Sequence, residues 1–395
     1  MKLKLVAGVL LIAVYACSAD YSALSYTDRP CGSNLTNLWL DVVAVVDNSL
    51  GMTNSGLRIV AANIASIFSD GTRIGTNPSE PRTTRLALVT YNSQATVKAD
   101  LDTYQSIDDL YNGVFGSLTS VSNSYDSYLE VGLAAAAQIL QNRGSNRSHY
   151  QQVILVYASS YQGSGPLEPL PVAMRLKTSG VKIITVAYVQ EGTINLEEKL
   201  EKVASPGMNF TSTQGSVRLN VQGALLEANC FCPYNWIQYR ESYSDTTSKP
   251  YGICIRPYIP TAVWRAARSA CSKVWHNSYL ANEYTPMKHQ FILDVIKGYF
   301  QQPYIYHIGL SLINGAWTWD QPNGWPQPTL QKWLNWALGY PVVSSSMTAG
   351  WNVQSDLTLR TFWQNTGAYT TAASYVCETY SCDTDNYCDS DGSDD

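Results

Sequence analysis

The chain has 395 residues, of which 45% are hydrophobic and 14% charged, and its formal net charge is −5. That length suits one to three domains. The acidic balance argues against nucleic acid and against an anionic membrane surface as main partners.

The chain opens with MKLKLVAGVLLIAVYACSAD. Lys2 and Lys4 precede an apolar run over residues 5–16, followed by the small residues Cys17, Ser18 and Ala19. This is the layout of a secretory signal peptide over residues 1–19, cut after Ala19. The run is too short for the roughly 20 apolar residues of a spanning helix. No other stretch comes closer, so a secreted, extracellular chain with no membrane span is expected. Of nine cysteines, Cys17 leaves with the signal. The remaining even number reads as disulfides in an oxidising compartment. Asn34-Leu-Thr, Asn146-Arg-Ser and Asn209-Phe-Thr are glycosylation acceptors in a secreted chain.

After a lead over residues 20–36, residues 37–228 alternate strand-like and helix-like segments. DVVAVVD (41–47) is an apolar run of strand length, and GLRIVAANIASIF (56–68) has helical spacing. RLALVTYNSQATVKADL (85–101) reads as a hairpin, and YLEVGLAAAAQILQNR (128–143) as a helix. QQVILVYAS (151–159) and VKIITVAYV (181–189) are buried strands. Between them lies a helix that Gly180 ends, and the helices LEEKLEKVAS and VQGALLEAN follow. Such alternation predicts an α/β doubly wound, mostly parallel sheet. Ligands of such sheets bind beyond the carboxyl ends of the strands, where Asp47, Ser49 and Gly51 fall.

LWLDVVAVVDNSLGM (38–52) resembles the first strand and loop of a von Willebrand factor A domain. The order of elements to residue 228 fits that family too. The family's loop reads Asp-x-Ser-x-Ser and holds Mg²⁺ together with a Thr and an Asp from two later loops. Asp47 and Ser49 match, but Gly51 has no oxygen to offer. Ala158 and Ser159 stand where the later Asp belongs, and the Thr position falls on Ser124 or Ser127. A divalent ion needs charged oxygen ligands, so this degenerate site is expected to hold none. Asp47 and Ser49 instead cap the next helix and hold the loop. Cys31 and Cys230 flank the domain, and the termini of compact domains lie close together, so a bridge between them is reasonable.

Tryptophan marks a boundary. Trp39 is the single Trp before residue 230, and ten more lie between Trp236 and Trp363. From NCFCP (229–233) onward the chain resembles a long-form C-type lectin domain, an α+β fold, over residues 230–378. The landmarks are Cys232-Pro233 with Trp236; Trp264, Ala267 and Cys271; His307-Ile308-Gly309-Leu310; Trp317 and Trp319; and Cys377-Glu378. The pairing of both domains resembles one group of secreted nematode lectins. The resemblance implies bridges Cys232–Cys254 and Cys271–Cys377. The family's usual inner pair is absent, and Cys382 and Cys388 remain to pair with each other.

In that family sugar is bound by a Ca²⁺ held by Glu-Pro-Asn or Gln-Pro-Asp and by Trp-Asn-Asp. Here those triplets read Tyr340-Pro341-Val342 and Trp351-Asn352-Val353, so the charged ligands are gone and no Ca²⁺ or other cofactor is expected. Gln321-Pro322-Asn323 imitates the first triplet but reads as a turn. Trp325, Trp333, Trp336 and Tyr340 crowd the ligand loops, and aromatic faces can stack on sugar without metal. Trp336, Tyr340, Pro341 and Asn352 are therefore the candidate ligand residues.

His149, His276, His289 and His307 show no metal-helix spacing. No set of acid, base and nucleophile is visible, so no enzyme is expected. The acidic tail, 379–395, reads as solvated and disordered. The reading is a secreted recognition protein for glycans or for extracellular or microbial surface proteins, with a defence role implied by resemblance. Three forms remain open: a metal-independent lectin, a protein-binding adhesion or matrix module, and a Ca²⁺ lectin with atypical ligands.

Overall fold

A computed structural model describes residues 27–389, apart from residue 78, residues 190–194 and residue 214. The expected signal peptide, the start of the lead and residues 390–395 lie outside the described residues. None of the described helices is long and apolar enough to cross a membrane.

The first domain is a six-stranded sheet of β1 (Leu40–Asp47), β2 (Arg85–Tyr91), β3 (Ala95–Ala99), β4 (Gln151–Ala158), β5 (Lys182–Ala187) and β6 (Asn209–Thr211). The order is β3-β2-β1-β4-β5-β6, and every pairing but β2–β3 is parallel. All eight residues of β1 are buried, because helices cover both faces. On one face α1 (Thr53–Ile67), α2 (Ile107–Ser117) and α6 (Val217–Ala228) pack Leu57, Val60, Ile64, Leu110, Val114 and Leu225 against Val42, Ala44 and Val46. On the other face α3 (Leu129–Gln141), α4 (Pro169–Thr178) and α5 (Leu196–Val203) meet Val43 and Val45. Gly132 lets α3 sit close, since a Cβ there would lie 2.7 Å from Val45 Cγ1. Helix α2 escapes the sequence reading because only Leu110 and Val114 are buried. That stripe is too narrow for the periodicity to show.

Chain order runs from β1 to β2 on one side and later to β4 on the other. The carboxyl ends of β1 and β4 therefore flank a topological switch point, where open α/β sheets bind ligands.

The second domain is built on β7 (Ile237–Arg240), β8 (Pro250–Val263), β9 (Tyr279–Leu280), β10 (Ile305–Ile313), β11 (Ala316–Trp319), β12 (Ala349–Gln354), β13 (Thr361–Thr366) and β14 (Ala372–Tyr380). Its two helices are α7 (Trp264–Val274) and α8 (Pro286–Ile296). The main path runs β13-β12-β10-β14-β8-β7, with β11 paired to β10 and β9 to β14. Trp319 and Trp363 are fully buried and edge-on at 5.3 Å, with Trp333 against Trp363 at 4.8 Å. Rings of this size fill much of this domain's core. The disulfides are Cys31–Cys230, Cys232–Cys254, Cys271–Cys377 and Cys382–Cys388.

The tail departs from the expectation of disorder. Strand β14 runs on to Tyr380, and the Cys382–Cys388 loop closes over the junction of the domains. Asp383 is completely buried and paired bidentately with Arg29, at 2.6 and 2.9 Å. Its carboxylate also accepts from Gly32 N at 3.1 Å and Ser381 Oγ at 3.0 Å. Composition read these residues as solvent-loving. A buried carboxylate is tolerated once paired and hydrogen-bonded, and the lead residue Arg29 supplies the partner. Trp39 is wedged between Phe231, Tyr150 and Tyr387, and its Nε1–H donates to the Asp383 carbonyl at 3.0 Å.

Replacing Trp39 with Ala is expected to cost about 3–5 kcal/mol through the cavity it leaves. Trp39→Phe, which loses the indole donor but keeps a ring, should cost about 1–3 kcal/mol. Both are measurable as shifts of the urea midpoint.

Candidate functional site

The crevice at the switch point is organised by one carboxylate. Asp47 ends β1 and is wholly buried. Its Oδ1 accepts from Ser49 N at 2.8 Å. Its Oδ2 accepts from Ser127 Oγ at 2.8 Å, Ser159 N at 3.1 Å and Ser159 Oγ at 2.5 Å. Of the two serines open in the sequence, Ser127 is thus the one at the site. Ser159, in the place of the missing acid, donates to Asp47 instead of adding charge. A Cβ on Gly51 would lie 3.2 Å from Ser159 Oγ and 3.6 Å from Ser49 Oγ, so a serine there would join the same cluster. The Ser49 hydroxyl is buried without a hydrogen-bond partner.

The shape of an oxygen cradle is therefore kept, with a single carboxylate and three hydroxyls. This donor set does not fit Mg²⁺ or Ca²⁺, which need more than one charged oxygen to offset dehydration. Asp47's own lone pairs are already engaged. Among the described residues no three His, Cys, Asp or Glu side chains group as metal ligands. The expected capping role is half corrected: Asp47 holds the loop through Ser49 N, but Ser49 Oγ caps nothing. The first turn of α1 is capped by Thr53 Oγ1, which accepts from Gly56 N at 3.1 Å.

The second candidate region is the long loop between β11 and β12. Its later part lies along β13. Trp363 N donates to the Asn335 carbonyl at 2.7 Å, and Ala337 N to the Trp363 carbonyl at 2.8 Å. Val342 N donates to Asn365 Oδ1 at 2.7 Å, while Asn365 Nδ2 donates to the carbonyls of Val342 and Met347 at 2.8 and 2.9 Å. Protein amides thus hold the loop at the position where the resemblance calls for an ion.

Trp336, Tyr340 and Pro341 share this loop and are half-buried. The Trp336 ring packs against Trp317 at 5.0 Å and Trp363 at 5.8 Å, so much of its face is committed to the core. The crest is aliphatic: Leu338 and Val343 are fully exposed, at 103% and 100%. Asn352, expected with them, is corrected. It is entirely buried in β12, with Nδ2 donating to Glu283 Oε1 at 2.9 Å.

Glu283 was invisible in the sequence as a site residue. It is fully buried, accepting also from Trp363 Nε1 at 2.6 Å and pairing with His289 Nδ1 at 2.9 Å. His289 Nε2 lies 3.3 Å from both Asn335 Nδ2 and Thr361 Oγ1, so this network reaches the base of the loop. Burial disfavours the charged imidazole, but the Glu283 carboxylate outweighs it and raises the His289 pKa. Beside this network Lys288, also fully buried, bridges Glu378 at 2.9 Å and Asp28 of the lead at 3.2 Å.

The glycosylation acceptors differ in setting. Asn34 and Asn146 are exposed. The Asn209 amide is half-buried, taking a bond from Thr185 Oγ1 at 2.6 Å and donating to the Glu197 carbonyl at 3.1 Å.

The sequence model of the von Willebrand factor type A domain matches residues 41–222. Residues 41–222 are a von Willebrand factor type A domain. The A domain is followed by a domain of C-type lectin-like fold. Over 375 residues the chain is 28% identical to C-type lectin domain-containing protein 160 of Caenorhabditis elegans, across 91% of this chain and 56% of that protein. The chain thus spans little more than half the length of that relative. Among solved structures, proximal thread matrix protein 1 from the mussel byssus is similar at 20% identity and TM-score 0.41, over 49% of this chain and 47% of that one. The C-type lectin CEL-I of Cucumaria echinata is similar at 18% identity and TM-score 0.30, over 38% of this chain and 98% of that one.

Two outcomes are expected. Gly51→Ser with Ser159→Asp should let Mg²⁺ raise the melting temperature, since it supplies a hydroxyl and a second charge beside Asp47; the parent chain should melt alike in Mg²⁺ and EDTA. For His289, the folded chain holds a proton that the unfolded chain has lost above about pH 6.5. Its stabilisation is complete below that pH and is lost as pH rises through the higher folded value. The difference in unfolding free energy between the parent and His289→Gln should therefore shrink from pH 6 to pH 8.5; a constant difference contradicts the assignment.

Proposed function

We propose that this is an extracellular recognition protein that engages its partner without a metal ion, through loop 333–343 of the lectin-like domain. The observation that carries the reading is the amide-held loop whose crest exposes Leu338 and Val343. Fully exposed aliphatic side chains on a fixed loop favour contact with an apolar patch on a protein. They offer nothing to sugar hydroxyls, and the tryptophans of this loop, Trp333 and Trp336, pack against the buried Trp363, while the exposed Trp325 lies outside it. The partner class favoured is thus a protein on an extracellular or microbial surface. The half-exposed ring of Tyr340 supports a second reading, metal-independent glycan binding at this loop. A defence role rests on resemblance alone.

The test is binding of the secreted chain to arrays of extracellular-matrix and microbial surface proteins and of glycans, each in EDTA and in Ca²⁺. Protein ligands that persist in EDTA are expected. Leu338→Asp with Val343→Asp should weaken them at least tenfold, at about 1.4 kcal/mol per decade, with an unchanged melting temperature. Glycan binding that vanishes in EDTA and ignores this variant contradicts the proposal.

A further inference from the structure

A second surface of the lectin-like domain differs from the loop in every respect. A groove of about 220 Å³ lies between α7 and the turn after β11, lined by Arg265, Arg268, Ser269 and Ser272 and by Gln321 and Asn323. The four α7 residues are spaced i, i+3, i+4, i+7 and share one face of the helix. At about 30 Å³ per water, the groove has room for one substituted sugar ring.

Its charge is built and held in place. Arg268 Nε donates to Asp320 Oδ1 at 2.7 Å. Asp320 is buried, with Oδ2 accepting from Leu280 N at 3.2 Å and Oδ1 also from Gln327 Nε2 at 3.3 Å. The acid is therefore fully engaged and fixes one edge of the guanidinium. Among the described residues the Arg268 Nη groups have no hydrogen-bond acceptor. Arg265 is held by Nε donation to Tyr369 OH at 3.0 Å, with its guanidinium 5.5 Å from that ring. Both arginines lie in the amino-terminal half of an eleven-residue helix that carries no acid. Cations there oppose the helix dipole and repel each other. Arg268 serves the fold through one edge, by answering the buried Asp320, while its Nη edge beside the held Arg265 and the helix hydroxyls makes a fork for a planar or tetrahedral anion.

We propose that this groove binds one acidic sugar of a glycan, its sulfate or carboxylate held by Arg265 and Arg268 and its hydroxyls by Ser269, Ser272 and Asn323. Apart from the ring of Tyr279 the lining is polar, which favours a hydroxyl-rich ligand over a peptide carrying apolar side chains. The Gln321-Pro322-Asn323 turn then contributes to a ligand groove unrelated to the lost calcium triplets. The groove is separate from loop 333–343, and the proposal stands or falls independently of it.

The experiment is surface plasmon resonance of the full secreted chain, in EDTA, over immobilised heparin, hyaluronan, neutral dextran and polyglutamate. Binding to heparin or hyaluronan is expected, weakening as salt rises, with none to dextran. Arg265→Ala and Ser269→Glu alter exposed positions, so the melting temperature should hold while affinity falls about tenfold or more each, the size of one charged hydrogen bond. Arg268→Lys keeps the charge opposite Asp320 but loses the fork and should weaken binding in the same direction. Absence of binding to both acidic glycans, unchanged affinity in Arg265→Ala and Ser269→Glu, or equal binding to polyglutamate overturns the proposal.

Discussion

A carboxylate with no solvent exposure must be satisfied by what surrounds it, and the head of the A domain is built around that requirement at Asp47. Ser49 N, Ser127 Oγ, Ser159 N and Ser159 Oγ all donate to it. These donors come from three loops, so one side chain ties the start of α1, the approach to α3 and the end of β4 into a fixed crevice. Where the family resemblance calls for an ion to gather these loops, hydroxyls and amides do so here. The closure uses the very lone pairs a cation would need.

The lectin-like domain follows the same logic on a larger scale. Glu283, buried as deeply, gathers Asn352, Trp363 and His289. Asn335 and Asn365 extend protein hydrogen bonding into the long loop, fixing its path beside β13. Lys288 joins Glu378 to Asp28, and Arg29 joins the lead to Asp383 of the tail loop. The lead is thus packed into the second domain and the tail loop onto the junction, against Trp39 and Tyr150 of the first domain, and the Cys31–Cys230 bridge brings the lead back to the same junction. The surfaces proposed for binding are thus held in place by the fold, which lowers the ordering cost of engaging a partner.

Much of this was legible in the sequence, for identifiable reasons. The buried parallel strands showed as unbroken apolar runs, and β2–β3 showed as a hairpin. The substitutions at Gly51, Ser159, Val342 and Val353 are read directly from the sequence, because an ion's need for charged oxygens is local. What escaped were pairings between distant residues. Nothing near Asp383 announced Arg29, more than 350 positions away, so an ordered acidic loop read as a solvated tail. Asn352 read as a surviving ligand because sequence position cannot say which way a strand residue faces; the answer lay in Glu283. Ser127 could not be chosen over Ser124 because their loop has no periodicity. Trp39, alone among the first 229 residues in being a Trp, was a usable signal for the domain junction.

We infer that neither the Asp47 crevice nor loop 333–343 depends on an ion. Elemental analysis of the chain, purified without chelator and dialysed against Ca²⁺ and Mg²⁺ at physiological levels, is the measurement that decides this. Far less than one bound divalent ion per chain is expected, unchanged in the Asp47→Asn variant. One ion per chain that disappears in Asp47→Asn would contradict it.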